Sequence, residues 1–156
     1  MADSQPDSPR VIALPPFLFG GALALGLLVH LLYPIHLLAP WLAWTGGGCL
    51  LLLGLALGKW GEDTLRRAGT SVNPVEPTTA IVTQGPFRFS RNPLYLSLTL
   101  AYLGISLLVN ALWPLLLLPP LLVVVAWGVI AREERYLEAK FGALYLGYKA
   151  RVRRWL

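Results

Sequence analysis

Apolar positions fill two long runs of this chain, and charged residues are absent from both. No Asp, Glu, Lys or Arg occurs from Val11 to Gly58 or from Asn92 to Ala131, stretches of 48 and 40 residues. A helix needs about 20 apolar residues to cross a bilayer, so each run crosses twice. Tyr33-Pro34-Ile35-His36 and Ala39-Pro40 divide the first run, because proline interrupts a helix. Asn110, followed by Pro114, divides the second. The predicted spans are Phe17–Leu32, Trp41–Lys59, Leu94–Val109 and Leu112–Ile130, paired by short turns into two helical hairpins. Pro119-Pro120 predicts a kink in the fourth span, which a membrane helix tolerates when neighbours satisfy the freed carbonyls.

The polar segments carry patterns of their own. Glu62-Asp63-Thr64-Leu65-Arg66-Arg67 extends the second span as helix, Gly69-Thr70-Ser71 ends it, and Pro74 and Pro77 forbid its continuation. Ile130, Glu134, Leu137, Phe141, Tyr145 and Tyr148 recur at spacings of three and four, as on one helix face. The fourth span is therefore expected to continue as an amphipathic helix, bent near Gly142 or Gly147. The expected fold is all-α: a polytopic membrane protein with about four transmembrane helices in two hairpins plus a cytoplasmic amphipathic C-terminal helix. It forms one domain over 1–156, with a disordered tail at 1–12, a loop at 61–91 and a C-terminal segment at 132–156.

Composition excludes an ordinary soluble domain. Hydrophobic residues make up 56% and charged residues 13%, against roughly 25% charged in soluble chains. All 13 Lys and Arg fall in three segments that four spans place on one side: Arg10; Lys59 to Arg91; and Arg132 to Arg154. The positive-inside rule makes that side cytoplasmic, with both termini there, at the inner membrane if the source is prokaryotic. The net charge of +5 then follows from topology and anionic lipid, and no nucleic-acid partner is implied. Met1 to Arg10 lacks the basic start of a signal peptide. Cys49 reads as a small packing residue inside the second span. His30 and His36 have no Cys, Asp or Glu at metal-ligand spacing, so no metal site is expected. Gly46-Gly47-Gly48, Gly54 and Gly58 suit close helix packing or room for a lipid tail. Ser97, Thr99 and Ser106 suit hydrogen bonds between helices.

Three constellations at the membrane boundary could carry chemistry. In Gly85-Pro86-Phe87-Arg88-Phe89-Ser90-Arg91-Asn92-Pro93-Leu94-Tyr95, Asn92 suits an N-cap and Pro93 the first helical position. The helix start beside Arg91 could receive a carboxylate or phosphate, with Tyr95 one turn up. The same residues also suit a plain capped helix with interfacial anchors. Arg132-Glu133-Glu134-Arg135 could hold ribose hydroxyls, neutralise a cation or supply a base, or pair among its own charges. Phe141, Tyr145 and Tyr148 could edge an adenine, line a lipophilic groove, or form an aromatic belt. There is no Walker motif and no Gly-x-Gly-x-x-Gly fingerprint, so a soluble Rossmann-type domain is not supported.

Gly69-Thr70 to Pro74, the run Val82 to Tyr95, and Glu133-Glu134 with Leu137, Phe141-Gly142, Tyr145 and Tyr148 together resemble the isoprenylcysteine carboxyl methyltransferase and phospholipid methyltransferase superfamily. The resemblance covers Arg66 to Arg153. It implies an integral membrane enzyme that transfers a methyl group from S-adenosyl-L-methionine, leaving S-adenosyl-L-homocysteine, to a lipophilic carboxyl, amine or thiol acceptor entering from the bilayer. The positions it implies for the cofactor are Gly85, Arg91, Asn92, Pro93, Tyr95, Glu133, Glu134, Phe141, Tyr145 and Tyr148. A carboxylate acceptor would need a cation, for which Arg88 and Arg132 are candidates. An amine acceptor would need a base, for which Glu133 and Glu134 are candidates. An NADPH-binding membrane reductase and a non-enzymatic membrane subunit of the same fold are the alternatives.

Overall fold

The computed structural model describes residues 8, 11–73 and 76–156. Of the tail at 1–12 only residues 8, 11 and 12 are among them, so Arg10, which entered the charge bias, and the helix-breaking Pro74 lie outside the described residues. The described residues form six α-helices: α1 (Pro15–Leu32), α2 (Pro40–Arg67), α3 (Pro93–Leu108), α4 (Leu112–Val125), α5 (Ala131–Phe141) and α6 (Ala143–Arg151). A 3-10 turn covers Gly85–Arg88, and a π-turn at Ala126–Ile130 joins α4 to α5 without a break. No strand occurs among the described residues. Proline opens α1, α2 and α3, where its missing N–H costs nothing.

Three helices are long and apolar enough to cross a membrane: Pro15–Leu32, Pro40–Arg67 and Leu112–Phe141, the last counting α4, the π-turn and α5 together. The third has 30 residues, about 45 Å at helical rise, so it outruns a hydrocarbon core of about 30 Å. The apolar part ends at Ile130; charges begin at Arg132, and α5 lies beyond the span. The apolar α3 is shorter, with 16 residues. Leu31, Leu52, Leu53, Leu116, Val123 and Trp127 are exposed on the outside of the bundle, as lipid-facing side chains are. Cys49, expected to be packed, is also exposed on α2.

The closest packing lies across the two predicted hairpins. α2 packs mainly on α3, and α1 on α4. Glycines set the α2–α3 approach. A Cβ at Gly47 would stand 2.6 Å from the backbone nitrogen of Leu108, and one at Gly54 would stand 2.8 Å from that of Ala101. A Cβ at Gly104 would meet the Leu51 nitrogen at 2.5 Å. Gly47, Gly54 and Gly61 are seven apart, so they fall on one seam of α2. Small residues on such seams let membrane helices pack backbone to backbone. Gly46 and Gly48 face open space. The hydroxyls of Ser97, Thr99 and Ser106 do not bridge helices as expected. They donate to the carbonyls of Leu94, Tyr95 and Tyr102 in their own helix, the acceptors one turn back. The remaining core is Phe19, Tyr95, Tyr102, Leu118, Leu121, Val125, Val129 and Ile130.

None of the described α-helices has a side-chain N-cap bond, and the ends and turns are set by other local contacts. α2 stops in a Schellman motif: the Thr70 N–H donates to Leu65 C=O and the Gly69 N–H to Arg66 C=O, with Gly69 at φ +68°. The α3–α4 turn depends on Asn110, at φ +54°. Its Oδ1 accepts the N–H groups of Leu37 and Leu38 at 3.0 Å each, and its Nδ2 donates to Leu38 C=O at 2.7 Å. One side chain thus ties together the two turns at that end of the bundle. α4 runs through Pro119-Pro120 as helix; its departure from α geometry comes later, in the π-turn. Of the two expected bend points, Gly142 is the one used, at φ +52° and ψ −124°.

Candidate functional site

At the charged end of the bundle a cavity of about 580 Å³ opens between α1, α2, α3, α5 and the loop after α2. Small-molecule sites run roughly 300–1,000 Å³. Leu14–Phe17 form one wall and Gly58, Glu62 and Leu65 of α2 another. The start of α3 contributes Arg91 to Tyr95, and α5 contributes Glu133, Glu134, Tyr136 and Leu137. Tyr145 of α6 and the loop residues Thr70 to Asn73 and Ala80 to Val82 also line it.

The two motifs that lie some forty residues apart in sequence meet here. The Tyr95 hydroxyl donates to Glu133 Oε1 at 2.7 Å. The Arg91 guanidinium reaches Glu134 Oε1 at 3.2 Å, both side chains more than nine-tenths buried. Arg154 grips the same carboxylate with a fork, Nε to Oε1 at 3.1 Å and Nη2 to Oε2 at 2.6 Å. Two adjacent carboxylates therefore have separate environments. Glu134 is buried between two arginines, Arg91, itself buried, and Arg154, which is 40% exposed. Glu133, about 100° around α5, faces the cavity with a neutral phenol as its partner. Burial pushes the Glu133 carboxyl up to about 7; the Glu134 charge adds to this, and the Tyr95 hydrogen bond opposes it.

Arg91 is held from both ends yet keeps donors to spare. Its backbone N–H donates to Arg153 C=O at 2.9 Å. Its Nε and Nη1 are buried and lack a hydrogen-bond partner among the described residues. Buried donors of this kind are costly unless something accepts from them, and Arg91 lines the cavity. Burial raises the Tyr145 hydroxyl to about 12, with the Glu134 carboxylate adding and the Arg91 guanidinium beside it opposing.

Asn92 stands at the N-cap position of α3, but its side chain does not cap. Nδ2 donates instead to Arg154 C=O at 2.9 Å, and Ser90 Oγ donates to the same oxygen at 3.3 Å. The segment after α6 is laid across the loop before α3, and its Arg154 carbonyl holds the Asn92 amide through Nδ2. Tyr148 pins the same loop, its hydroxyl donating to Phe87 C=O at 2.7 Å.

Of the residues singled out in the sequence, the cavity wall gathers Arg91, Asn92, Pro93, Tyr95, Glu133, Glu134 and Tyr145. Gly85, Arg88, Arg132, Phe141 and Tyr148 are not part of it. Gly85, at φ +58°, lies where a Cβ would meet Thr64 Oγ1 at 2.7 Å, so it seats the loop on α2. Arg88 is exposed and stacks over Phe89 at 5.1 Å, and Arg132 is exposed as well. Sequence reasoning missed Glu62, Thr70, Ser71, Tyr136 and the Leu14–Phe17 wall. Gly69-Thr70-Ser71 stood out as a helix stop and as part of the family-like run to Pro74, without a site role. Arg154 was counted only as one basic residue among many. His30 and His36, away from this site, meet ring edge to ring face with centroids 5.4 Å apart.

The phospholipid methyltransferase family model matches residues 42–143, well over half of the chain. The chain belongs to that family of membrane methyltransferases. It is also similar to an uncharacterised protein of Haemophilus influenzae, 44% identical over 63 residues, which cover 40% of this chain and 79% of that protein. No solved structure matches it. The family match stops before most of α6 and before Arg154.

Proposed function

We propose that this chain transfers a methyl group from S-adenosyl-L-methionine to an amine of a lipophilic molecule held in the membrane. The observation that carries this reading is the charge of the cavity wall. Among the described residues that line it, Arg91 is the one Lys or Arg, while Glu62, Glu133 and Glu134 are acidic. Glu134 is neutralised by two arginines, and Glu62 pairs with Arg66 at 2.6 Å. The cations that a carboxylate acceptor would use, Arg88 and Arg132, stand outside the wall. A carboxylate beside a cationic cofactor and an amine is the better electrostatic match.

The residues present fit the cofactor. Arg91 Nε and Nη1 would donate to its amino-acid carboxylate, helped by the free N–H groups at the start of α3. Leu137 and Tyr145 would wall the adenine, and Thr70 would offer its hydroxyl to the ribose. When bound, S-adenosyl-L-methionine supplies a methyl group already activated on a sulfonium. The protein then has to align the acceptor and remove its proton. Glu133 is suited to the second task, because its burial sets its proton affinity near neutral pH. The Tyr95 hydroxyl fixes the orientation of the Glu133 carboxylate. Apolar substituents of the acceptor would reach in between Leu14–Phe17 and α2.

The test is radiolabelled methyl transfer into a membrane lipid extract by the purified protein. An N-methyl product is expected. Base-labile release of labelled methanol would show an ester and contradict the amine reading.

A further inference from the structure

We propose that Arg154 is a positioning residue for the cofactor carboxylate: its fork on Glu134 keeps that carboxylate from capturing the two unpartnered donors of Arg91, a residue of the cavity wall. The proposal rests on the reading of Arg91 given above. Glu134 is 5% exposed and draws on three guanidinium nitrogens: Arg154 Nε and Nη2, and one Arg91 nitrogen at 3.2 Å. With Arg154 in place, both carboxylate oxygens are satisfied, and Arg91 Nε and Nη1 remain without a partner. A buried carboxylate that loses one of two counter-charges is left undercompensated. Arg91 already reaches Glu134 through Nη2, and its two unpartnered nitrogens belong to the same guanidinium. Removing Arg154 would fold Arg91 onto Glu134 and close the ligand's subsite.

The position of Arg154 is built. Arg154 C=O accepts from Asn92 and Ser90, Arg153 C=O accepts the Arg91 N–H, and Trp155 packs on the apolar core. The guanidinium is thus delivered from a segment anchored on both sides, while its own side chain stays 40% exposed. Arg154 lies outside the region matched by the family model, so this support for Arg91 belongs to the chain's own C-terminal segment.

Calorimetric titration of the purified full chain with two probes tests this: S-adenosylhomocysteine, and methylthioadenosine, which lacks the amino-acid carboxylate. Arg154→Met should weaken S-adenosylhomocysteine about tenfold and leave methylthioadenosine within about twofold. Arg154→Lys should restore part of the loss, since it returns the charge without the fork. Should Arg154→Met fail to fold, Arg154→Gln carries the same comparison. Unchanged binding of S-adenosylhomocysteine, or equal weakening of both probes, overturns the proposal. Arg91→Ala separates the two levels. If it discriminates between the probes and the Arg154 variants do not, the Arg154 role alone is wrong. If Arg91→Ala does not discriminate, the reading of Arg91 fails and the proposal falls with it.

Discussion

Tyr95 and Glu133, 38 positions apart, are joined by a 2.7 Å hydrogen bond that closes the start of α3 onto the start of α5. The phenol donates, so it favours the ionised carboxylate, while burial works against ionisation. Tyr95→Phe removes the donor and keeps the ring. Methyl transfer should fall about tenfold, the loss of one charge-assisted hydrogen bond at an orienting position. The Glu133 carboxyl should also titrate at higher pH. Steady-state kinetics on the variant at several pH values would show both effects.

The Glu133 carboxyl, raised from 4.5 to about 7, gives opposite pH dependences to activity and stability. As a base it must be ionised, so activity should rise with pH through about 7. For stability, the folded state holds the proton more tightly than the unfolded state between those two values. The contribution of Glu133 to stability is therefore lost as pH rises across that window. Glu133→Gln should abolish the activity step and flatten the stability slope, measured by thermal unfolding in detergent from pH 5 to 8.

The α2–α3 seam tolerates no side chain. At Gly54 an added Cβ meets backbone atoms of Ala101 and Ser97 at 2.8 and 2.9 Å, which cannot swing aside. Gly54→Leu should cost about 1–3 kcal/mol by overpacking, read as a lowered unfolding midpoint. Gly48→Ala, facing open space, should leave the midpoint unchanged or slightly raised.

Asn110 combines a left-handed backbone with three hydrogen bonds to the opposite turn. Asn110→Ala strands two N–H groups and strains the backbone, and should cost about 2–4 kcal/mol. Asn110→Gly relieves the strain but not the lost bonds, so it should cost less. Thermal unfolding of the two variants side by side checks the order.

Much of the architecture was legible because a bilayer imposes simple rules. The charge-free runs fixed the apolar helices, and Gly69, Asn110 and Gly142 marked the ends and turns the structure uses. Helix pairing was not legible. Gly47, Gly54 and Gly61 signalled close contact, but nothing in one sequence says which helix approaches. The site was half legible. Arg91, Tyr95 and Glu133 stood out by chemistry and position. Asn92 suits a cap by sequence alone, and the Arg154 C=O that holds its amide instead comes from 62 residues away. Gly85 serves backbone geometry, which its neighbours in sequence do not reveal.

The most direct measurement of the central claim is calorimetric titration of the purified chain with S-adenosylhomocysteine and, separately, with NADPH. The wild-type protein should bind S-adenosylhomocysteine and not NADPH. Arg91→Ala should weaken that binding at least about tenfold, as expected for losing a charge-assisted contact. Binding of NADPH alone, or an affinity for S-adenosylhomocysteine unchanged by Arg91→Ala, would contradict a methyltransferase site built on Arg91.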